Sequence, residues 1–325
     1  MLKYLIGIDV GGTNIKVMIM DTGLTVIGKR SFPTSAEDGY DMISDRIITN
    51  IDCMLAEKNI DRSSVMYLAM GLPGIVDRKA QKTIYLSKLK WDGFNPAAKL
   101  GQYYQVPTAI DNDANINALG EYAFGENGKK DLVLLTLGTG IGGGIIIDGK
   151  IFGGSSNIAA EIGHMTINAA DDAECMCGKK GHFESYCSGF ALRRDSLEML
   201  ADFPDSVLHK YIAEADGLYD NSMITRGVTE NDELCKEIFD RYIRFFSIGV
   251  VNIMHLLNPE IILIGGGISN AGEILLNPLN KMCRQLVIHE RAFCPVVRAS
   301  LGSEAGMYGA CVLAAQMTGV YRAGS

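Results

Sequence analysis

The chain has 325 residues, of which 47% are hydrophobic and 21% are charged, and its net charge is −8. A chain of this length and composition is typical of a globular protein with two domains that share a cleft. The acidic balance, with no Lys/Arg-rich segment to relieve it, argues against nucleic acid as a partner.

Three further features argue against secretion and membrane insertion. The opening "MLKYLIGIDVGG" has too short an apolar stretch for a signal peptide and has no cleavage site. The most apolar long region, residues 245–264, is interrupted by polar residues and by Pro259, so we expect no membrane span. Eight cysteines are far below the density of a disulfide scaffold. We therefore expect a cytoplasmic protein with reduced thiols.

The first third of the chain begins with a predicted β-meander. The segments "KYLIGIDV", "NIKVMIMD" and "LTVIGKRSF" show alternation and β-branched residues and are separated by glycine turns. Apolar residues at helical spacing over residues 42–55 predict a helix. Next, "SVMYLAMGLPG" predicts a buried strand, and "TAIDNDAN" predicts a strand that runs into the helix "INALGEYAFG".

The second half repeats the opening pattern of strand, glycine turn, strand and hairpin at residues 131–154. Either a duplicated domain or two unrelated hairpins would explain this. A long helix is predicted over residues 232–257, with Thr229 and Asp232 at capping-box spacing and a stop at Asn258, which proline follows. "EIILIGGG" predicts a buried strand and "SEAGMYGACVLAAQM" a last helix. Alternating strands and helices predict an α/β architecture with ligands at the strand ends.

Three glycine clusters follow apolar strands, at residues 9–14, 138–144 and 265–267. Glycine lets several backbone N–H groups converge on a phosphate, an approach that side chains would block. Thr13 and Thr139 add hydroxyl donors, and Asp9 is placed to hold Mg²⁺ or its water shell. A tight hairpin explains any one cluster, and none has the Gly-Lys-[Ser/Thr] ending of a P-loop. Three such turns after buried strands together favour phosphate binding.

The segment "IDNDAN" at residues 110–115 is the candidate catalytic segment. Asp113 ends a buried strand and starts a helix, where a partly buried carboxylate can take the proton from a substrate hydroxyl that attacks phosphorus. Asn112 offers a donor and an acceptor to a neighbouring sugar hydroxyl. The alternative is that Asn-Asp at this position is only a helix cap.

Taken in order, these motifs resemble those of one family. "GIDVGGTNIK", "GLPGIVD", "NDANINALGE", "LTLGTGIGGGII", "EIGHM", "CMCGKKGHFE" and "ILIGGG" occur in the order seen in the ROK (repressor, open reading frame, kinase) sugar kinases. The resemblance runs from Gly7 to about Ala315. It implies an α/β, two-domain actin-like ATPase (ribonuclease H-like) fold of the hexokinase/ROK type, and transfer of the γ-phosphoryl group of ATP, with Mg²⁺, to a hexose hydroxyl, usually on carbon 6.

The resemblance also assigns roles by position. Asp113 matches the catalytic base. The positions that match sugar-hydroxyl contacts are Gly71, Asn112, Glu161, His164 and Glu184. The positions that match nucleotide-binding motifs are Asp9, Gly11, Gly12, Thr13, Lys16, Gly138, Thr139, Gly140, Gly265 and Gly266.

For the domains, we expect a small N-terminal α/β domain over residues 1–115 and a large α/β domain with a zinc-binding loop over residues 116–303. A C-terminal helix over about 304–325 is expected to pack back on the small domain. The resemblance suggests a homodimer whose partners are a small-molecule sugar and ATP, with no nucleic acid and no membrane.

Kinases of this family commonly hold one structural zinc through a His and three cysteines of a Cys-x-Cys-Gly-x-x-Gly-Cys-x-Glu pattern. Here His164, Cys175 and Cys177 match, and His182 stands where the third cysteine is expected. Cys₂His₂ is a sound tetrahedral zinc set. Two alternatives remain: the zinc is lost and the loop is held by packing, or Cys187 replaces His182 as the fourth ligand.

If zinc is bound, it would fix two acidic residues against the sugar. Glu184 lies two residues after His182, and Glu161 lies three residues before His164. His164 would then serve twice, with one ring nitrogen on zinc and the other toward a hydroxyl. A redox role is disfavoured, because Cys-x-Cys is not the Cys-x-x-Cys spacing of thiol-exchange proteins.

Glucose is the commonest expected substrate, while "ESYCSGFALRR" resembles the allose kinases of the family. N-acetylmannosamine, other amino sugars and β-glucosides remain open. The competing class is a non-catalytic sugar-sensing regulator with the same core. The repressors of the family carry a winged helix before the first phosphate motif, which here begins at Gly7. That position and the intact motif residues, Asp113 among them, favour the kinase.

Overall fold

The computed structural model describes residues 2–86, 89–125, 128–170 and 172–321. Contacts divide the chain into two compact units. Unit 1 consists of Met1–Leu132, Gly144–Ala160 and Ser300–Ser325, and unit 2 consists of Val133–Gly143 and Glu161–Ala299. The sequence-based domain limits, 1–115 and 116–303, stay a prediction.

The first sheet belongs to unit 1 and includes the predicted meander. The strands of the first 132 residues are β1 (Tyr4–Val10), β2 (Asn14–Asp21), β3 (Val26–Pro33), β4 (Val65–Leu72), β5 (Ile75–Asp77), β6 (Lys82–Tyr85) and β7 (Thr108–Asn112). The sheet has the order β3-β2-β1-β4-β7, while β5 and β6 form a separate hairpin. β1, β2 and β3 pair antiparallel, which confirms the meander, and β1, β4 and β7 run parallel.

Three helices accompany these strands: α1 (Gly39–Glu57), α2 (Ala98–Tyr104) and α3 (Asp113–Phe124). The helix predicted over residues 42–55 is thereby confirmed as part of α1. Its buried residues Ile43, Ile47 and Ile51 recur every fourth position and therefore lie on one face. That face shares a core with Ile6 and Ile8 of β1.

The second sheet has the same strand order as the first. Its strands are β8 (Leu132–Leu137), β9 (Ile141–Ile147), β10 (Lys150–Ile151), β11 (Ile261–Gly265) and β12 (Val296–Arg298). The order is β10-β9-β8-β11-β12, in which each strand takes the place of its counterpart in the first sheet. The shared order supports a duplication over two unrelated hairpins. The boundary between the units crosses β9, whose residues from Gly144 onward belong to unit 1.

The remaining helices are α4 (Glu184–Cys187), α5 (Gly189–Met199), α6 (Val207–Glu214), α7 (Ser222–Thr229), α8 (Glu233–Leu257), α9 (Glu273–Leu286) and α10 (Ala305–Thr318). Helix α8 confirms the predicted long helix, and Asn258 ends it with a φ of 44°. Within the described residues, no helix combines the length and apolar character needed to cross a bilayer.

The prediction that Thr229 takes part in the α8 cap is wrong. Thr229 is the last residue of α7, and its hydroxyl donates to the Arg226 carbonyl. Asn231 then adopts a φ of 64° and reverses the chain. Asp232 is itself the N-cap of α8, since its carboxylate accepts the Cys235 N–H at 2.9 Å.

Helix α10 packs on β1 and α3 within unit 1. A Cβ placed on Gly7 of β1 would lie 2.6 Å from the Met307 carbonyl oxygen, so glycine permits the helix and strand to approach closely. The predicted helix ran to residue 325. The described helix ends at Thr318, where Gly319 has a φ of 74°, and residues 322–325 lie outside the described part of the chain.

Candidate active site

The turn between β1 and β2 exposes backbone where the sequence predicts the first phosphate motif. The Gly11 N–H donates to the Asn14 carbonyl at 3.0 Å, and the Thr34 hydroxyl donates to the Gly11 carbonyl at 2.7 Å. A Cβ on Gly11 would lie 2.8 Å from the Asn14 oxygen, which explains the glycine. Gly12 and Thr13 are exposed at the tip of this turn. The backbone of Gly11 is thus hydrogen-bonded within the protein, whereas Gly12 and Thr13 are exposed to solvent.

Asp9 and Lys16 stand opposite each other on β1 and β2. Burial raises the pKa of the Asp9 carboxyl, and the Lys16 charge opposes that rise. The Lys16 ammonium donates to the Ser303 carbonyl just before α10. A Cβ on Gly306 would lie 2.5 Å from Asp9 Oδ2, so the first turn of α10 approaches this carboxylate closely. Nothing in the local sequence pattern indicates that Gly306 lies beside β1.

The corner between β7 and α3 carries Asn112 and Asp113. Asn112 Oδ1 accepts the N–H groups of Ala114 and Asn115 at 2.9 and 3.1 Å, which makes Asn112 the N-cap of α3. Its Nδ2 donates to the Gly74 carbonyl at 2.9 Å. The cap alternative therefore holds for Asn112, and one Nδ2 hydrogen is left for a substrate. Asp113, the first residue of α3, is half-buried, and its Oδ1 accepts the Ala114 N–H at 2.9 Å.

Three predicted residues of unit 1 stand on neighbouring parallel strands. Asp9 on β1 pairs in register with Gly71 on β4, and Gly71 pairs with Asp111 on β7, one residue before Asn112. Parallel strands end at the same edge of a sheet, where α/β proteins bind ligands. The structure therefore brings Asp9, Gly71 and the Asn112 corner to one sheet edge.

In unit 2, the turn between β8 and β9 carries the second glycine motif. The Gly138 N–H donates to the Gly140 carbonyl at 3.0 Å. The first residues of α5 hold the turn from one side, because the Gly189 N–H donates to the Gly138 carbonyl at 2.8 Å and the Phe190 N–H to the Thr139 carbonyl at 3.4 Å. Gly138 and Thr139 are exposed. This second turn is also anchored through its carbonyls.

A cavity of 470 Å³ lies beside this turn in unit 2. Its lining is mainly apolar, with Leu137, Leu192, Ile224, Phe239 and Leu275 among the residues, and it includes Gly138 and Gly267. Gly266 has a φ of 83°, and a Cβ there would overlap the Leu137 carbonyl, so glycine is required at the end of β11. Gly265 is the last, buried residue of β11.

One polar atom in this lining has no partner. Asn221 Oδ1 is buried and accepts no hydrogen bond within the described residues. Sequence motifs indicate only the glycines of this region. The other lining residues come from β8, helices α5, α7, α8 and α9, the segment before α7 and the turn after β11. These elements are distant in sequence and are brought together by the fold.

The predicted metal ligands form one cluster in unit 2. The candidate ligand atoms of His164, Cys175, Cys177 and His182 lie within 4.8 Å of one another. The two His Nδ1 atoms are 3.3 Å apart, Cys175 Sγ is 3.5 Å from His164 Nδ1, and Cys177 Sγ is 3.4 Å from His182 Nδ1. Zinc bonds of ordinary length at tetrahedral angles separate two nitrogens by about 3.3 Å and a nitrogen and a sulfur by about 3.6 Å. These three distances are compatible with a zinc site at the four residues.

Cys187 is not part of this cluster. It is fully buried in α4, and its Sγ lies 3.9 Å from the Tyr242 carbonyl oxygen. Burial raises the pKa of its thiol well above the usual value. A ligand role for Cys187 would require α4 to unwind, so the alternative that it replaces His182 is not supported.

Two acidic side chains border the cluster. Glu184 starts α4, and the Cys175 thiol donates to its Oε1 at 2.8 Å, while its Oε2 accepts the Ile141 N–H at 3.4 Å. His164 Nε2 lies 3.9 Å from Glu161 Oε2, on the side of the ring opposite the cluster. Burial is the main cause that raises the pKa of the Glu161 carboxyl. His164 thus presents Nδ1 to the cluster and Nε2 toward Glu161, and a contact of Nε2 with a hydroxyl stays a prediction.

A family model for the ROK family matches residues 5–317. The chain belongs to the ROK family. Among its relatives, a glucokinase of Halalkalibacterium halodurans is 32% identical over 309 residues, which are 94% of this chain and 93% of the relative. A xylose repressor of Caldicellulosiruptor bescii is 31% identical over 297 residues, which are 89% of this chain and 71% of the repressor.

A solved relative is the ROK family glucokinase of Streptomyces griseus in complex with glucose and AMPPNP, with 31% identity and a TM-score of 0.78. The match covers 96% of this chain and 99% of that chain. This ROK protein therefore has the α/β actin-like ATPase fold of the hexokinase/ROK type that the sequence resemblance implied.

Proposed function

We propose that this ROK protein is an ATP-dependent hexose kinase that transfers the γ-phosphoryl group of ATP to a hydroxyl, the 6-OH, of glucose or a related hexose such as allose. The observation that carries the proposal is the common sheet edge of unit 1, which joins Asp9, Gly71 and the Asn112 corner on parallel strands. The relatives that are glucokinases support the same reaction.

Asp113 is the proposed catalytic base. Its half-buried carboxylate would accept the proton of the attacking sugar hydroxyl, so that the sugar oxygen bonds to the γ-phosphorus as the bond to ADP breaks. Phosphoryl transfer proceeds through a loose transition state and depends mainly on positioning and charge neutralisation. Asp9 would hold Mg²⁺ or one of its waters, and that ion would neutralise phosphate charge. The proposed sugar contacts are Gly71 and Asn112 in unit 1 and Glu161, His164 and Glu184 in unit 2.

The nucleotide is proposed to use both glycine turns and the cavity of unit 2. In the first turn these are Gly11, Gly12 and Thr13 with Lys16, and in the second Gly138, Thr139 and Gly140, with Gly265 and Gly266 at the adenosine. An apolar cavity of 470 Å³ has the size and character of a small-molecule site. The buried Asn221 Oδ1 would accept a hydrogen bond from the 6-amino group of adenine, which favours ATP over GTP.

We also propose a structural zinc at His164, Cys175, Cys177 and His182. The distances among the four donor atoms support it. The ion would keep Glu184 and Glu161 in place through the backbone of the segments that carry them. The family resemblance further supports a homodimer.

A second candidate is a sugar-binding regulator without catalysis, which the relation to the xylose repressor supports. An amino-sugar kinase, for example of N-acetylmannosamine, is the remaining alternative within the kinases. The regulator differs from the leading proposal by binding sugar without turnover, and the amino-sugar kinase differs by the sugar that it phosphorylates.

The deciding experiment is an ATP-coupled assay of the purified protein with glucose, allose, N-acetylmannosamine, N-acetylglucosamine and methyl β-glucoside. We expect sugar-dependent ADP formation with one of the hexoses, and phosphorus NMR should place the phosphate on carbon 6. Turnover with an amino sugar alone would shift the substrate class. Calorimetric sugar binding without turnover on any compound would establish the regulator instead.

A further inference from the structure

The β5–β6 hairpin of unit 1 is fastened to the corner that bears Asn112 and Asp113. The hairpin turn is preformed, because the Asp77 carboxylate accepts the N–H groups of Lys79 and Ala80 at 2.9 and 3.0 Å. Gln81 closes the turn with a φ of 50° and donates from Nε2 to the Arg78 carbonyl at 2.7 Å. The side chains of Arg78 and Gln81 are thereby presented on one short, rigid turn.

Two hydrogen bonds link this hairpin to β7. Strand β7 is at the edge of its sheet, so alternate N–H groups point away from β4 and need another acceptor. Gln81 Oε1 accepts the Ile110 N–H at 2.8 Å. At the other end of the hairpin, the Gly74 carbonyl accepts from Asn112 Nδ2 at 2.9 Å.

An ion pair completes the attachment. Arg78 Nε lies 2.6 Å from Asp111 Oδ2, and the Asp111 side chain is only 1% exposed, whereas that of Arg78 is 28% exposed. The second oxygen, Asp111 Oδ1, accepts the Asn112 N–H at 2.8 Å and Asn115 Nδ2 at 3.1 Å. A buried carboxylate is stable in place only if it is paired and hydrogen-bonded. Arg78 is the cationic partner of the carboxylate that holds the backbone at Asn112.

We propose that Arg78 is a positioning residue for the proposed reaction, which acts through the Arg78–Asp111 ion pair to fix the Asn112–Asp113 corner. The inference rests on the proposed function only in assigning Asp113 to catalysis. Without Arg78, the Asp111 carboxylate would remain buried without a counter-charge. It would then move toward water and carry the Asn112 backbone with it. A displacement of about 1 Å at a reacting group can cost about 10²-fold in rate.

The test compares Arg78→Met with the double variant Arg78→Met/Asp111→Asn. We expect Arg78→Met to lower kcat for the sugar about 10- to 100-fold, with AMPPNP affinity within about twofold of the wild type. In the double variant, the introduced amide keeps an oxygen for the Asn112 N–H and removes the unpaired charge. The kcat of this variant should therefore be at least about tenfold higher than that of Arg78→Met, because removing both partners of a buried pair is far less disruptive than removing one.

Arg30→Met is the matched control. The Arg30 side chain is 29% exposed, close to the value for Arg78, and it pairs with Glu57 at 2.6 Å, but the Glu57 side chain is 59% exposed. Loss of this pair should leave kcat unchanged, because water replaces the partner. Arg78→Lys keeps the charge and serves as the second variant if Arg78→Met does not fold.

The outcomes separate this inference from the proposed function. A kcat within about twofold of wild type for Arg78→Met, or no recovery in the double variant, overturns the positioning role. If the wild type phosphorylates no sugar, the proposed function fails, and amide hydrogen exchange of the peptide over residues 110–116 decides instead. Faster exchange in Arg78→Met that is reversed in the double variant supports the inference, and unchanged exchange overturns it.

Discussion

The Glu184 carboxylate occupies the space in front of the Gly140 α-carbon, since a Cβ on Gly140 would lie 2.7 Å from Glu184 Oε2. Gly140 therefore leaves room for the Glu184 carboxylate at this position. A Cβ on Gly138, two residues earlier in the same turn, would meet no atom within 4 Å. A side chain at position 140 would thus meet Glu184, whereas a side chain at position 138 would extend into open space.

This difference gives the first prediction. Gly140→Ala should displace the Glu184 carboxylate and raise the KM for the sugar by about tenfold, the loss of about one hydrogen bond to a charged group. Gly138→Ala should leave the sugar KM unchanged and raise the KM for ATP, because its new methyl group points into open space at the phosphate turn. Steady-state kinetics with each substrate varied in turn will measure both. An unchanged sugar KM in Gly140→Ala would contradict the placement of Glu184 at the sugar.

The second prediction concerns the proposed base. Asp113→Asn should lower kcat about 10²- to 10⁴-fold, the usual contribution of general base catalysis. The fold should persist, because Asn112 rather than Asp113 is the N-cap of α3. Circular dichroism and AMPPNP titration will show whether fold and nucleotide binding are retained. Turnover within about tenfold of the wild type would assign the base elsewhere.

The third prediction concerns metal content. Elemental analysis should find one zinc for each chain, and His182→Ala should lose it and weaken sugar binding about 10- to 100-fold. Cys187→Ala is the control and should keep its zinc, because Cys187 lies outside the cluster. Full zinc content in His182→Ala would move the fourth ligand to another residue.

The fourth prediction follows from the raised pKa of Asp9. Its pKa in the folded protein is above the ordinary value of 3.8, so the native state binds more protons than the unfolded state above that pH. Stability in the absence of nucleotide and metal should therefore fall as pH rises from 3.8 through the folded-state pKa. Asp9→Asn should raise the melting temperature at pH 7, because the amide carries no charge to be desolvated, and should abolish kinase activity.

Calorimetry at several pH values will check this prediction. The difference in melting temperature between Asp9→Asn and the wild type should disappear at pH values well below 3.8, where the wild-type carboxyl is protonated in both states. A variant that is less stable than the wild type at pH 7 would show that the Asp9 charge stabilises the fold.

The fold was largely predictable because its signals are local. Alternation in β1 to β3, helical spacing in α1 and the stop at Asn258 each operate within a few residues, and the structure confirms them. The capping error at Thr229 arose because two residues had the right spacing, whereas the left-handed Asn231 between them ended one helix before the next began. Spacing alone does not report backbone dihedral angles.

The candidate site was predictable only where a motif carries it. The four metal-cluster residues lie together as the resemblance implied. By contrast, Asn112 Nδ2 donates to the carbonyl of Gly74, which is distant in sequence. The same holds for the Arg78–Asp111 ion pair and for Asn221 Oδ1, which accepts no hydrogen bond from the part of the chain that the structure describes. These contacts arise from the packing of separate elements, and a single sequence records no pairing between them.

Unit 1 is assembled from segments at both ends of the described chain, with α10 packed on β1 and α3. During synthesis, β1 leaves the ribosome before all of unit 2, and α10 leaves it after all of unit 2. The apolar face of β1 that α10 covers therefore remains without this helix until translation has passed residue 318. Unit 2 is contiguous apart from Val133–Gly143, and its last residue is synthesised before α10. Unit 2 can therefore complete its fold before unit 1.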